Sequence, residues 1–169
     1  LELLGAAGAD LLASLKSMKS ELDDLFKAGK PEGRGIWDLS SRERGLEAES
    51  RILNGMGKGK LPDNFKTYDH FANGVATSIK SFDTVNGCSS SFKTMVRNAV
   101  SSMNNFKTYS RDGVDLTEAM IKTRVLKIGV PKGHMPSAEQ IKWAEEYGAN
   151  NTILDGARPV TVKFVEVEP

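Results

Sequence analysis

A carboxylate, a hydroxyl and an amine crowd into one short stretch, Lys66 to Ser81, which reads KTYDHFANGVATSIKS. At its middle, Asn73-Gly74 is the dipeptide that a two-residue type I′ turn prefers, because both central residues need positive φ, and β-type residues flank it on both sides. Folding the stretch there sets Ala72 opposite Val75, Phe71 opposite Ala76, His70 opposite Thr77, Asp69 opposite Ser78 and Tyr68 opposite Ile79. Asp69 and Ser78 then share a face. Lys80 points the same way, at the diagonal distance of roughly 7 to 8 Å from Asp69 that long side chains bridge. Such a trio makes either a plain cross-strand ion pair on a wet sheet or a site for acid–base and metal chemistry.

A second carboxylate favours chemistry. Ser40 can cap a helix with Glu43 reaching back to it three residues later, and Asn54-Gly55 ends that helix. At helical spacing Glu49 has Gly45, Leu46, Ile52 and Leu53 as neighbours, whereas Glu47 has Glu43, Arg44, Ser50 and Arg51. Glu49 is therefore placed on the apolar face, where a lone carboxylate is costly unless something charged or metallic meets it. The Asp69 and Lys80 face is the obvious partner, and Glu47 needs none.

The elements that must position these groups follow from periodicity. Leu4, Leu11, Leu15, Met18, Leu22 and Leu25 predict an amphipathic helix over residues 2–28, closed by a Lys30-Pro31-Glu32-Gly33 linker. Residues 1–30 are thus an extra N-terminal helical segment and 31–169 the main domain. Gly55 to Asn64 is rich in Gly and Lys and predicts a mobile loop with Lys58 and Lys60 exposed. It lacks a phosphate-loop pattern, so it is either plainly solvated or a loose phosphate holder.

Beyond the hairpin, Cys88 reads as a small semi-buried residue. Phe92, Met95, Val96, Ala99, Val100 and Met103 form the core stripe of a further helix, with Lys93 and Arg97 on its other face and Lys107 and Arg111 in the loop after it. These four cations are either a basic track or a solvated face. Asp115 or a neighbour caps a short helix through Ile121, Arg124 to Val130 has β character, and Pro131-Lys132-Gly133 turns the chain. Ser137 with Gln140 makes a capping box for a helix through Tyr147 that Gly148 stops, and Val160 to Val167 reads as a closing strand. Interleaved helices and strands predict an α/β or α+β fold, a mixed sheet flanked by helices.

With 169 residues, 39% hydrophobic and 27% charged, the chain has the composition of an ordinary globular domain plus a short appendage. Its 23 Lys and Arg against 22 Asp and Glu leave the global charge silent about nucleic acid, so any basic surface is local. A single cysteine excludes an internal disulfide and a cysteine-rich zinc site, which suits a reducing compartment. No apolar run is long enough to span a bilayer, and the N-terminus lacks both a signal-peptide pattern and an initiator methionine, as expected of a piece of a longer polypeptide.

A helical Glu49, a strand Asp69 and then Ser78-Ile79-Lys80 resemble, in order and type, the site of the PD-(D/E)xK nuclease superfamily. More narrowly, Arg44-Gly45-Leu46-Glu47-Ala48-Glu49, the run FKTYDHF from Phe65 to Phe71 and GVATSIKS from Gly74 to Ser81 are similar to the C-terminal tRNase domains of contact-dependent growth inhibition toxins. Val130-Pro131-Lys132-Gly133, Ser137-Ala138-Glu139-Gln140 and the closing strand extend the similarity over about Gly35 to Val167.

The resemblance implies a PD-(D/E)xK-like fold and an antibacterial nuclease delivered on a larger secreted or cell-surface effector. It would cleave tRNA in the target-cell cytoplasm and be held by a cognate immunity protein. It implies Glu49, Asp69, Ser78 and Lys80 as catalytic residues, with Glu49 and Asp69 holding a divalent metal and Lys80 orienting water or offsetting charge. Because Ser78 stands where a carboxylate is commoner, the metal has few charged ligands. Mg2+ is then the expected ion, Mn2+ the second choice, and zinc less suited because no His or Cys cluster is visible. His70 alternates to the opposite face and His134 falls in a loop. Lys58, Lys60, Lys93 and Arg97 are the candidate substrate-binding residues. DNA is the alternative substrate within the same chemistry, and a non-catalytic binding module, in which Asp69 simply pairs with Lys80, is the alternative outside it.

Overall fold

The structure is a computed structural model that describes residues 16–19, 33–150 and 158–169, and the chain divides into two units, Leu1–Arg34 and Gly35–Pro169. In the first, residues 16–19 are helical; the rest of the helix expected over 2–28 lies outside the described residues.

The second unit contains strands β1 (His70–Ala72), β2 (Val75–Ser81), β3 (Thr108–Arg111), β4 (Val114–Thr117), β5 (Thr123–Pro131) and β6 (Val160–Val167). Its helices are α1 (Ser41–Asn54), α2 (Ser89–Asn105) and α3 (Ala138–Asn150). The main sheet has the order β1-β2-β5-β6, with β1 antiparallel to β2 and the other neighbours parallel. The fold is therefore the mixed sheet flanked by helices that the sequence predicts, with α3 on the crossover that a parallel β5–β6 pair requires.

The period of two along β2 divides the interior. Ala76 and Phe82 join Phe92, Val96, Val100 and Met103 of α2 in one core, together with Leu126, Ile128 and Val130 of β5. Ile79 points the other way and packs with Ala48, Ile52 and Leu53 of α1 and with Ile36, Trp37 and Val167. Ser78 and Lys80 share the parity of Ala76, so they face α2.

Local chemistry sets most boundaries. The Ser40 and Glu43 capping box is present, as is that of Ser137 and Gln140, and Asn73 and Gly74 take φ of 51° and 78° in the β1–β2 turn. The register matches the one counted from the sequence: His70 with Thr77, Phe71 with Ala76, Ala72 with Val75.

Several expectations are corrected. Leu46 is 61% exposed. The buried stripe of α1 runs through Ala48, Ile52 and Leu53, with Glu49 at its half-buried edge. Gly148 does not stop α3, which runs on to Asn150; a Cβ there would collide with the Val160 carbonyl, so glycine permits the close crossing over β6. Asp115 caps no helix but lies in β4, in a β3–β4 hairpin closed by Asp112 and Gly113 with φ of 50° and 77°. Only a 3-10 turn, Glu118–Met120, remains of the short helix. The segment around Lys58 and Lys60 is not a free loop: Lys60 bridges His70, the Phe71 N–H donates to Gly59 O at 2.8 Å, and His70 Nε2 lies 2.9 Å from Lys58 O. Cys88 is exposed rather than semi-buried, its Sγ between the Ser90 and Ser91 hydroxyls.

Candidate active site

The acidic half of the site forms where β1 stops and β2 continues. Residues Ser78 to Ser81 have β5 along one side only. On the other side the Ile79 N–H donates to Asp69 Oδ2 at 2.6 Å. The Asp69 N–H donates to the Thr77 carbonyl and its own carbonyl accepts from the Leu61 N–H, each at 2.9 Å. Two backbone hydrogen bonds thus fix the Asp69 main chain and a third holds its carboxylate, which replaces the missing strand at one ladder position. Just before it, Thr67 has φ of 71°, a strained value for a β-branched residue that costs about 1–3 kcal/mol. The strain is held in place by the fully buried Tyr68, whose hydroxyl donates to the Met103 carbonyl at 3.3 Å.

Glu49 is half-buried on α1 and its pKa is pushed up to about 7, first by burial and then by the charge of Asp69, with Lys80 and Lys60 pulling it back. The Asp69 carboxyl is also raised, by burial, while the Ile79 N–H and Lys80 act the other way. Glu49 therefore feels the charges of both Asp69 and Lys80, although α1 packs on the Ile79 side of β2 and Lys80 faces α2. Glu47 is exposed and tied to Arg51 at 3.1 Å.

Ser78, 1% exposed, and the exposed Lys80 line a cleft of about 870 Å³ between β2 and α2. The other expected basic residues do not line this cleft. Lys58 is exposed, Lys60 pairs with Asp63 at 3.2 Å, and both flank β1 rather than this cleft. Lys93 Nζ and Arg97 Cζ sit 5.3 and 5.5 Å from the Trp143 ring centroid, so α3 engages them and they do not line the cleft. Sequence reasoning missed Lys66 and Thr67 on one rim and a stripe of Ser90, Thr94, Asn98 and Ser102 on the other. Their spacing of four was a visible signal.

The donor set suits a hard cation with few protein ligands. Burial raises the pKa of both carboxyls and the Asp69 charge adds to that of Glu49, a cost that a positive ion relieves, and Asp69 keeps Oδ1 for it while Oδ2 is bonded. Among the described residues no three or more His, Cys, Asp or Glu gather as a metal cluster. Such a site fits an ion that retains several waters, as Mg2+ does, better than an all-protein cage. No helix among the described residues is long and apolar enough to cross a membrane.

Two curated proteins are similar to this chain. One is deoxyribonuclease CdiA-o11 of Escherichia coli O157:H7 (strain EC869), 26% identical over 129 residues, covering 69% of this chain and 33% of that protein. The other is deoxyribonuclease CdiA of Yersinia pseudotuberculosis serotype O:3 (strain YPIII), 28% identical over 159 residues, covering 89% of this chain and 15% of that protein. The chain thus spans only a minor part of either relative's length. Among solved structures, a chain of the CdiA-CT/CdiI toxin and immunity complex from Yersinia pseudotuberculosis superposes with a TM-score of 0.57 at 26% identity, covering 71% of this chain and 98% of that one. The family model described as CDI toxin restriction endonuclease-like domain matches residues 44–163, a span that holds Glu49, Asp69, Ser78 and Lys80. The chain belongs to this family of CDI toxin restriction endonuclease-like domains.

Proposed function

We propose that this domain is a metal-dependent endonuclease that hydrolyses DNA phosphodiester bonds, with Glu49 and Asp69 holding the cation and Ser78 and Lys80 working beside it. The observation that carries this reading is the Asp69 carboxylate, fixed by the Ile79 N–H at the open edge of β2 and coupled to Glu49 and Lys80. When bound, Mg2+, or Mn2+ in its place, supplies Lewis-acid activation of water and neutralises phosphate charge. The Lys80 ammonium donates hydrogen bonds to a phosphate oxygen or the attacking water and offsets charge as it develops. Ser78, buried at the cleft floor, offers a hydroxyl for orientation and no charge, which limits the protein ligands to two carboxylates.

Both curated relatives are named deoxyribonucleases, which supports DNA over the tRNA expected from the initial resemblance. Those relatives are far longer than this chain, and the structural neighbour comes from a toxin and immunity complex. These facts support a domain carried on a larger effector into the target-cell cytoplasm and held by a cognate immunity protein, with residues 31–169 as the nuclease and 1–30 belonging to the part that handles entry.

Incubating the protein with supercoiled plasmid and, separately, with total tRNA, each with Mg2+, Mn2+ or EDTA, tests the reading. Metal-dependent nicking of plasmid is expected. Cleavage of tRNA with intact plasmid would reverse the substrate assignment, and inertness toward both would favour the non-catalytic module.

A further inference from the structure

We propose that the uncharged stripe of α2, Ser90, Thr94, Asn98 and Ser102, is a positioning wall that grips the sugar–phosphate backbone of the strand lying against Lys80. The proposal rests on the nuclease reading above and adds the surface that sets the strand's register. Spacing of four places these side chains in one row along the helix, and all of them line the cleft opposite Ser78 and Lys80.

Three features mark the row as a binding surface rather than ordinary solvated helix. Ser, Thr and Asn are poorer helix formers than the Lys, Glu and Gln that usually cover exposed helix faces, because their short polar groups compete for the backbone. Thr94, Asn98 and Ser102, beyond the first turn of α2, therefore sacrifice helix stability at exposed positions. Second, α2 carries no Asp or Glu, so nothing on this wall repels a phosphate, and its cations Lys93 and Arg97 are turned to Trp143. Third, among the described residues the Thr94, Asn98 and Ser102 side chains have no hydrogen-bond partner, although each is exposed at the cleft. Neutral donors of this kind bond phosphate oxygens and sugar atoms, fixing position without reading bases. They release no counterions, so their share of affinity does not depend on salt. The opposite rim is charged, with Lys66 and Lys80, so the cleft pairs one electrostatic wall with one hydrogen-bonding wall.

The test is a Thr94→Val, Asn98→Ala, Ser102→Ala triple variant, which removes hydrogen-bonding groups from solvent-facing positions, with Thr94→Ser as the conservative control and melting temperature as the folding check. Plasmid cleavage by the wild type and each variant is followed over a salt series, and Kd for a fluorescein-labelled DNA duplex is read by anisotropy. The triple variant is expected to raise KM and Kd on the order of tenfold, three modest hydrogen bonds' worth, with kcat little changed and the salt slope preserved. Lys66→Ala should instead make the slope shallower by about 1, and Thr94→Ser should behave as wild type. Wild-type KM and Kd in the triple variant, or a loss confined to kcat, would overturn the wall. If the wild type cleaves nothing, the nuclease reading fails, while the wall still stands or falls on Kd.

Discussion

The two hairpins of this domain share one turn chemistry and have different surroundings. Asn73-Gly74 and Asp112-Gly113 adopt nearly the same positive φ values, and each closes an antiparallel pair. The first hairpin lies in the main sheet, with β2 against β5 and both of its faces covered. In the second, both strands are largely exposed; Leu116 is buried, and Tyr109 meets the Phe65 ring edge-on at 4.9 Å. The turn dictates the pairing in both cases. What separates them is the base: the first ends beside a helix carrying Glu49 and an unfilled ladder position that Asp69 takes, so its polar groups are partly desolvated and coupled. Acidic and basic residues of the second, such as Asp115 and Arg111, stand in water, where charges interact weakly.

The sharpest way to break this comparison is to remove a charge from each hairpin. Lys80→Ala should lower the rate of DNA cleavage by about 10² to 10³, the range for losing one group that stabilises transition-state charge, while Asp115→Ala should leave it unchanged. Comparable losses in both variants, read as single-turnover rates, would mean that location in the sheet does not matter.

A smaller effect concerns the turns. An alanine in a left-handed position costs roughly 1–2 kcal/mol, so Gly113→Ala, with nothing within 4 Å of the new Cβ, should show that amount alone. Gly74→Ala adds pressure on the Lys122 side chain, 3.0 Å from the added carbon, and should be the costlier of the two by denaturant midpoint. A larger loss at Gly113 would contradict the assignment of the second hairpin as the less constrained.

The third effect is in pH. Glu49 binds its proton more tightly in the folded state, with a pKa near 7, than unfolded, where the usual value is 4.5. Between these values the folded protein holds a proton that the unfolded chain has released, so stability falls as pH rises through that window and stays lower above it. Glu49→Gln should therefore raise the melting temperature at pH 8, change it little at pH 4, and still abolish cleavage. Glu47→Gln removes only an exposed pair with Arg51 and should stay within about 0.5 kcal/mol at either pH. Equal pH profiles for the two variants would undo the distinction between the two faces of α1.

What the sequence made legible was local. The Asn73-Gly74 turn fixes the β1–β2 register because pairing outward from a two-residue turn leaves no freedom, and both capping boxes are fixed by a spacing of three. Asp112-Gly113 carries the same turn signal, but polar residues flank it, and a hairpin that buries little apolar surface has no strong alternation to show. The exposure of Leu46 is not legible because neighbours at three and four residues span too wide an arc to say which edge of the stripe is wet. Lys93 and Arg97 could not be separated from a basic track without knowing that Trp143, about fifty positions away, lies beneath them. The uncharged polar stripe of α2 is visible at a spacing of four but reads from sequence as solvated surface, and only the facing Lys80 gives it meaning.

The central claim is that Asp69 and Glu49 assemble a cation-dependent site for cutting DNA, and Asp69→Asn tests it most directly because it keeps shape and the Ile79 N–H acceptor while removing the charge. Supercoiled plasmid is incubated at pH 8 with wild type and variant, with Mg2+ or with EDTA, after melting temperatures show both to be folded. The account predicts nicking by the wild type with Mg2+ alone, and none by the variant under either condition. Undiminished nicking by Asp69→Asn, or wild-type nicking that persists in EDTA, would contradict it.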